Sequence, residues 1–330
     1  MRNTAMRRIT AMVIAALFMW VSNGFPQGLS KITSAFVDIG IGARAQALGG
    51  AYTAMSQSAS VLFWNPAGLA GLQKRSVEFS YVNQFGLVPY SAFAGGLTLA
   101  RVHAFGLGVL SSGDDQLRET TAVLTYALEL ENLLSTGLQG WQVGLNLKYH
   151  LASFGKNGFD PSNYPIFSEQ DLSAAQNTFV QGTASGFGLD LGLAYQMTPR
   201  LRFGLVVRNL ISKVSWENGQ QAYDEGIPAH LSAGLAFRTR SNWLLTADYD
   251  NALGDTGASQ FRFGTEKRVF RFLALRAGMG QTLSAENLRQ FSMGMGLFQR
   301  ISRSGVLSVD YAYQMHPLAN SHRFSVGFTF

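Results

Sequence analysis

The sequence predicts an all-β membrane protein: a 14-stranded antiparallel outer-membrane β-barrel with an N-terminal hatch inside it. Three observations point to this fold class. The N-terminus has the form of an export signal, the rest of the chain is apolar without a long hydrophobic helix, and residues from 77 onward alternate with the period of a β-strand. Charged residues make up only 14% of the chain, against about 25% in an average soluble domain. Because only helices and closed barrels satisfy their backbone hydrogen bonds inside a bilayer, this composition favours a barrel.

Residues 1–24 form the predicted signal peptide. Three arginines near the start precede the apolar run 9–21, and small residues follow where a signal peptidase cleaves. The alternative is a membrane anchor, but the run is shorter than the roughly 20 residues that a spanning helix needs. Removal of these arginines lowers the formal net charge from +6 to +3, so the charge does not indicate a nucleic-acid partner. The chain has no cysteine, which excludes disulfides, thiolate metal sites and cysteine catalysis.

Residues 25–76 are predicted to be the hatch. Within them the stretch 36–72 lacks strand alternation, is interrupted by six glycines and carries only two charges, Asp38 and Arg44. A 14-stranded barrel is wider than the small barrels that side chains fill on their own, and a segment of small residues is suitable material to fill it. We expect Arg44 to pair either with Asp38 or with a carboxylate on the barrel wall.

Period-two alternation predicts fourteen strands across residues 77–330. Long links at 152–181 and 211–227 alternate with links of two residues at 198–199 and 240–241. Outer-membrane barrels have short periplasmic turns and longer extracellular loops, and an even strand number places both chain ends in the periplasm. The predicted strands are 77–85, 90–101, 102–111, 116–130, 139–151, 182–197, 200–210, 228–239, 242–250, 260–269, 270–280, 288–299, 304–315 and 321–330.

Each predicted strand has one apolar face. In 139–151, Trp141 and Tyr149 lie on this face about 20 Å apart, near the height of the lipid band, so outer-membrane lipids are the expected surroundings. The opposite faces carry charges of both signs, which we interpret as ion pairs lining a polar lumen. The five histidines lack metal-site spacing, and no nucleophile motif or P-loop is present, so we expect neither an enzyme nor a cofactor. The inward-facing charged residues are Glu78, Lys148, Asp190, Arg202, Arg208, Asp248, Arg262, Glu266, Arg276 and Asp310.

Two motifs in the predicted hatch resemble a known family. Residues 41–52 read IGARAQALGGAY and residues 64–69 read WNPAGL. Together they resemble the N-terminal signature of PorV/PorQ-like outer-membrane proteins, a group similar to the FadL-type transporters, which are 14-stranded barrels with an N-terminal hatch. The final residues, 323–330, are similar to the aromatic-ended last strand that the barrel-assembly machinery recognises, with Phe328 and Phe330 as the aromatic positions. The hatch residues indicated by the resemblance are Arg44, Gly49, Gly50, Trp64, Asn65, Pro66, Ala67 and Gly68; Asn65 before Pro66 also has the chemistry of a helix N-cap.

The resemblance implies two functions of different kinds. The main expectation is an accessory barrel of a type IX-like secretion system that docks a translocon or exported cargo. Phe159, Tyr164 and Phe167 in the long loop would form its partner surface, because exposed apolar patches mark such surfaces. The alternative is a channel that takes hydrophobic small molecules across the outer membrane, with the hatch as its gate. In that case Gly106 and Gly108 would mark a kink where the barrel opens sideways.

We expect the protein to fractionate with the outer membrane of a Gram-negative cell, and to migrate faster in gel electrophoresis when unheated than when boiled. The reason is that a closed barrel keeps its compact shape in detergent until it is heated. Membrane fractionation followed by heat-modifiability electrophoresis measures both properties. Recovery of a heat-insensitive protein from the soluble periplasm would contradict the barrel.

Overall fold

A computed structural model describes residues 40–100, 102–114, 117–131, 138–154, 182–217, 222–253, 259–283, 288–317 and 319–330. The predicted signal peptide, the first part of the predicted hatch and most of the long loop at 152–181 lie outside these residues. No helix in the described part of the chain is long and apolar enough to cross a membrane.

Fourteen antiparallel strands close into a barrel, as the sequence predicts. Strands adjacent in the barrel pair in chain order, and the first strand pairs with the last, with Val77 opposite Phe328, so the ring is closed. One additional short strand, β8, pairs with β7 beyond the barrel wall, and β7 pairs with β9 within the wall. The strands are β1 (Ser76–Gln84), β2 (Val88–Leu99), β3 (His103–Gly113), β4 (Leu117–Glu129), β5 (Trp141–Phe154), β6 (Gly182–Thr198), β7 (Leu201–Glu217), β8 (Ala222–Glu225), β9 (Ala229–Arg238), β10 (Trp243–Leu253), β11 (Ser259–Phe270), β12 (Leu273–Leu283), β13 (Arg289–Arg300), β14 (Val306–Met315) and β15 (Ser321–Thr329).

The strands place apolar side chains on the outside and polar or small side chains on the inside. On β5, Leu147 and Tyr149 are half exposed, whereas Asn146 and His150 are buried. The same alternation runs through the other strands. A continuous exterior of exposed apolar side chains is the lipid-facing surface of a transmembrane barrel.

The seventh strand differs from the sequence prediction, which ended it at residue 210. It continues to Glu217 and pairs with β8, so much of the predicted loop 211–227 is a hairpin. The register between β6 and β7 shifts near Asn209, whose φ of 53° lies in the left-handed region. A bulge disrupts the ladder locally, and in the sequence pattern this irregularity resembles a strand end.

Residues 40–72, here called the inner segment, fill the barrel. The segment carries buried apolar side chains, including Leu48 just after its first helix, and Leu62 and Leu69 within the two that follow. Hydrogen bonds tie the segment to strands on several sides of the ring, so it lies within the lumen. The helices are α1 (Ala43–Ala47) and the 3₁₀ helices η1 (Ala59–Phe63) and η2 (Pro66–Gly71). The bonds to the wall run from Ala43 N–H to Ser325 Oγ of β15 (2.7 Å), from Gly49 N–H to Ser292 Oγ of β13 (3.1 Å), from Ser60 Oγ to Glu78 Oε2 of β1 (2.7 Å) and from Asn65 Nδ2 to Leu193 O of β6 (3.1 Å).

Glycines on the inner face of the wall allow this close packing. A Cβ atom added at Gly278 of β12 would stand 2.7 Å from Gly49 Cα, and one added at Gly204 of β7 would stand 2.9 Å from Ala54 Cα. A Cβ at Gly144 of β5 would stand 2.8 Å from Ala67 Cα. Contacts this short do not occur between real atoms, so any side chain at these positions would displace the segment.

We expect Gly278→Val to destabilise the packing of the inner segment, because overpacking a close contact costs about 1–3 kcal/mol. The measurements are the urea midpoint of unfolding in detergent and the ion conductance of the barrel in planar bilayers, which should rise as the segment loosens. Gly95→Val is the matched control, since a Cβ at Gly95 meets nothing closer than 3.6 Å. If both variants behave alike, the glycine contact does not hold the segment.

Candidate functional site: the inner segment and the lumen wall

Arg44 joins the inner segment to the wall through a bidentate ion pair. Its Nε donates to Glu266 Oε2 at 2.8 Å and its Nη2 donates to Glu266 Oε1 at 2.9 Å. Glu266 of β11 also accepts from Arg276 Nε at 2.7 Å, and Arg276 Nη1 donates to Asp310 Oδ1 at 2.6 Å. Of the two partners that the sequence allowed, Arg44 therefore has the wall carboxylate, and Asp38 lies outside the described residues. We call Arg44, Glu266, Arg276 and Asp310 the charge chain.

The electrostatics of the charge chain keep Arg44 cationic. Burial alone would lower the pKa of Arg44, but the facing Glu266 carboxylate, with smaller contributions from Tyr52 and Asp310, raises this pKa above its ordinary value. Burial also raises the pKa of the Tyr52 phenol, which is hydrogen-bonded to Ser58 at 3.2 Å and packs beside the Trp64 ring. Both groups hold one charge state across physiological pH, so the attachment does not depend on protonation of the segment.

Two wall carboxylates hold the segment's backbone and hydroxyl groups. Asp248 Oδ2 of β10 accepts from the backbone N–H groups of Tyr52 and Thr53, each at 2.8 Å. Glu78 of β1 accepts from Ser60 Oγ. The sequence analysis assigned both carboxylates to lumen ion pairs, whereas here they bind uncharged donors of the inner segment. No signal in the sequence separates the two cases, because Asp190 and Asp310 also lack a basic residue on their own strands and yet form ion pairs with neighbouring strands.

Asn65 occupies the centre of the attachment. Its Oδ1 accepts from Ala67 N–H at 3.0 Å, which caps η2, and Pro66 occupies the first helical position. Its Nδ2 donates to Thr53 O at 2.9 Å within the segment and to Leu193 O on the wall at 3.1 Å. One fully buried side chain therefore links a helix start, a neighbouring turn and the barrel.

Asn146 of β5 is a second link that the sequence analysis did not single out. Its Nδ2 donates to Leu62 O of the inner segment and to Asp190 Oδ2 of β6, each at 2.9 Å. Asp190 Oδ1 accepts from the backbone N–H of Asn209, at the β7 bulge, and forms an ion pair with Lys148, each at 2.8 Å. The inner segment and the bulge are thus connected through two buried side chains.

The remaining residues of the predicted hatch signature have local structural roles. Gly49 and Gly50 take φ values of 67° and 78° in the turn after α1. Trp64 Nε1 donates to Ile41 O at 2.9 Å, which ties the two motif regions together. Gly68 packs tightly against the backbone of Met55, since an added Cβ would stand 2.5 Å from Met55 O.

At the C-terminal end, Phe328 and Phe330 stack with ring centroids 5.2 Å apart. Phe159, Tyr164 and Phe167 lie outside the described residues.

Gly106 and Gly108 lie on β3, which pairs with β2 and β4 without a register shift. A Cβ at Gly106 would stand 2.7 Å from Leu69, and one at Gly108 would stand 2.7 Å from Leu62 and 2.8 Å from Phe63. Both glycines therefore make room for apolar side chains of the inner segment. The ladder is continuous here, and sideways opening at β3 stays a prediction.

The lumen next to the inner segment contains two described cavities. One of about 10 Å³ lies beside Gly40 and Arg323. The other, of about 120 Å³, lies at the short-turn end of the barrel, between residues 54–57 of the segment and the wall. Within the described residues, no group of three or more His, Asp and Glu side chains is arranged to hold a metal ion.

Comparison with solved structures finds FadL-family outer-membrane channels as neighbours of this fold. The CymD monoaromatic hydrocarbon channel superposes with a TM-score of 0.58 at 16% identity, over 89% of this chain and 98% of CymD. The Pseudomonas putida toluene transporter TodX gives a TM-score of 0.59 at 14% identity, over 88% and 98% of the two chains. A Pseudomonas aeruginosa FadL homologue gives 0.55 at 11% identity, over 85% and 95%. At these identities the likeness concerns the fold alone.

Sequence comparison adds one partial match. A family model described as "F plasmid transfer operon, TraF, protein" matches residues 116–250, less than half of the chain. No curated protein matches the sequence significantly.

We expect Asp248→Ala to loosen the inner segment, because two buried N–H groups would lose their acceptor at about 1–3 kcal/mol each. Limited proteolysis of the detergent-solubilised protein and its urea midpoint are the measurements. Asp224→Ala is the matched control: its ion pair with Lys213 is exposed on both sides, and removing it should change neither quantity. Equal protection of the segment in both variants would show that Asp248 does not anchor it.

Proposed function

We propose that this protein is an outer-membrane channel for hydrophobic small molecules, gated by its inner segment. The observation that carries the proposal is how the lumen is closed. The inner segment fills the barrel and contributes no strand to the sheet, and it is joined to the wall by individual side-chain hydrogen bonds and the charge chain. A segment attached in this way is able to shift without breaking the barrel's own ladder.

The inner segment contacts the wall through polar groups on one side of the barrel and through apolar side chains on the other. Towards β10, β11 and β13 the contacts involve Asp248, Glu266 and Ser292. Towards β2, β3 and β4 the segment presents Leu62 and Phe63, packed against Ala94 and Val123. An apolar molecule replaces apolar contacts at little cost, whereas it leaves buried polar groups unpaired. The apolar side of the segment is therefore the proposed path, and it includes the place where Gly106 and Gly108 lie.

The structural neighbours support the substrate class. TodX is described as a toluene transporter and CymD as a monoaromatic hydrocarbon channel, and both share the fold over almost the whole described barrel. We propose hydrophobic small molecules as the substrates, delivered from the extracellular side. An outer-membrane location with surrounding lipids, reached through the barrel-assembly machinery, belongs to the same proposal.

The docking function of a PorV/PorQ-type accessory barrel remains the second reading of the resemblance. Its predicted partner surface, Phe159, Tyr164 and Phe167, lies outside the described residues. The channel is therefore the function for which contacts in this structure supply an argument.

We expect cells that express the protein to take up a radiolabelled monoaromatic hydrocarbon faster than cells without it, with no gain for a hydrophilic solute of similar size. Gly106→Ala combined with Gly108→Ala should raise this uptake further, because the added methyl groups would stand 2.7 Å from Leu69 and Leu62 and would displace the apolar side of the inner segment from the wall. Gly95→Ala, on the outer face of β2, is the matched control and should retain uptake.

Uptake no faster than background in cells with correctly folded protein would refute the channel. Co-purification of that protein with a large outer-membrane partner would then favour the docking function.

A further inference from the structure

Four arginines surround the lumen at the short-turn end of the barrel. Arg200, Arg202 and Arg238 line the 120 Å³ cavity beside the inner segment, and the backbone N–H of Arg238 donates to Arg200 O at 2.8 Å. Arg268 of β11 lies close enough to interact electrostatically with Arg238 and Arg44. We call Arg200, Arg202, Arg238 and Arg268 the mouth arginines.

The mouth arginines differ in their partners from the arginines that are ion-paired inside the lumen. Arg323 also lacks an ion pair, but its guanidinium donates to three neutral acceptors, Gly40 O, Gln84 Oε1 and Gln314 Oε1. Arg44, Arg208 and Arg276 each form an ion pair with a carboxylate at 2.8 Å or less. None of the four mouth arginines forms an ion pair among the described residues. Glu129 at the end of β4 is the acid that interacts with Arg202 at longer range. Arg268 interacts in the same way with Glu266, but this carboxylate already forms ion pairs with Arg44 and Arg276. Four cations therefore face two nearby carboxylates, and only Glu129 is not already shared with the charge chain.

Arg202 is the most constrained of the four. It is 7% exposed, and its Nη2 donates to the neutral Gln142 Oε1. Its Nε is buried without a hydrogen-bond partner in the described part of the chain. A buried cationic donor without an acceptor is unfavourable, since burial removes its hydration. The arrangement becomes favourable when an anion enters the cavity.

The cavity has the size and polarity for a small anion. A single water occupies about 10–15 Å³ by this measure, so 120 Å³ holds several waters or one oxyanion with its hydration. Gln57 and Gln196 add amide groups to its lining, and the buried side chains of Met55 and Leu244 close its inner side. Guanidinium groups bind carboxylate and phosphate oxygens through paired hydrogen bonds, which suits this arrangement.

Further positively charged side chains around the cavity make the electrostatic potential at this end of the barrel more positive. In the described residues, the short-turn end carries further cations on its turns and strand ends, and Glu129 and Glu131 are the acids there. Charges of one sign around a low-dielectric mouth concentrate counter-ions at it. The further cations are Lys74, Arg75, Arg240, Lys267, Arg271, Arg300 and Arg303.

We propose that this cavity is an oxyanion-binding site at the periplasmic mouth of the barrel, with Arg200, Arg202 and Arg238 as its ligands. The ligand chemistry is a phosphate or carboxylate group. It comes either from a free anion in the periplasm or from the head group of an amphiphile whose apolar part lies against Met55 and Leu244. The site goes beyond the proposed channel function, because anion binding at the mouth does not require transport.

The test is isothermal titration calorimetry of the full-length protein in a neutral detergent, with inorganic phosphate as the probe. We expect saturable binding at one site. Arg200→Gln combined with Arg238→Gln should weaken it about tenfold or more, since each charge-assisted hydrogen bond contributes substantially. Arg240→Gln is the matched control: this exposed arginine lies two residues from Arg238 and outside the cavity lining, so affinity should change less than about twofold. Both single variants, Arg200→Gln and Arg238→Gln, serve if the double variant does not fold.

A second titration, with butyl phosphate and with butanol as its uncharged control, distinguishes a free anion from an amphiphile head group as the ligand. Equal affinity for phosphate and butyl phosphate assigns the site to a free anion, and tighter binding of butyl phosphate assigns it to an amphiphile head group. The proposal is overturned if phosphate gives no saturable binding up to about 20 mM. It is equally overturned if Arg240→Gln weakens binding as much as the double variant, since the attraction would then be diffuse. Hydrocarbon uptake does not enter either result, so the channel function and this site fail independently.

Discussion

The close approach of the inner segment's backbone to the barrel wall determines how this protein is built. Gly144, Gly204 and Gly278 bring β5, β7 and β12 within contact distance of main-chain atoms of the segment. Only at that distance do short side chains such as Asp248 and Asn65 reach across to form hydrogen bonds. A barrel of this width with ordinary side chains on its inner face would hold the segment loosely or exclude it.

Charge is distributed in two ways within one lumen. In the middle of the barrel, carboxylates and guanidinium groups compensate one another, as in the charge chain from Arg44 to Asp310. At the short-turn end, Arg200 and Arg238 have no such partners among the described residues. Pairing avoids the larger penalty of leaving a buried charge uncompensated, while uncompensated charges produce a field that extends to the solution.

The barrel was predictable from the sequence because the features that define it, side-chain alternation and turn length, are visible within short stretches of the chain. Period-two alternation and short turns such as 198–199 fix strand number and most strand ends. The extension of β7 was not predictable, since the bulge at Asn209 is held by Asp190 on another strand. Likewise, the pairing of Arg44 with Glu266 joins residues far apart in sequence, so the pattern left a wall carboxylate and Asp38 equally open. The inward-facing glycines were visible in the sequence, but their role in admitting the inner segment depends on which backbone atoms lie opposite them in the folded barrel.

The inner segment also bears on how the ring closes. Its Ala43 N–H binds Ser325 on the last strand, and its Ser60 binds Glu78 on the first, so it contacts both sides of the β1–β15 seam. A slip of one residue in that seam would turn Ser325 towards the lipid and remove its bond to the segment. The segment precedes every strand that the structure describes and is thus available as a template that selects the correct register when the final strand arrives.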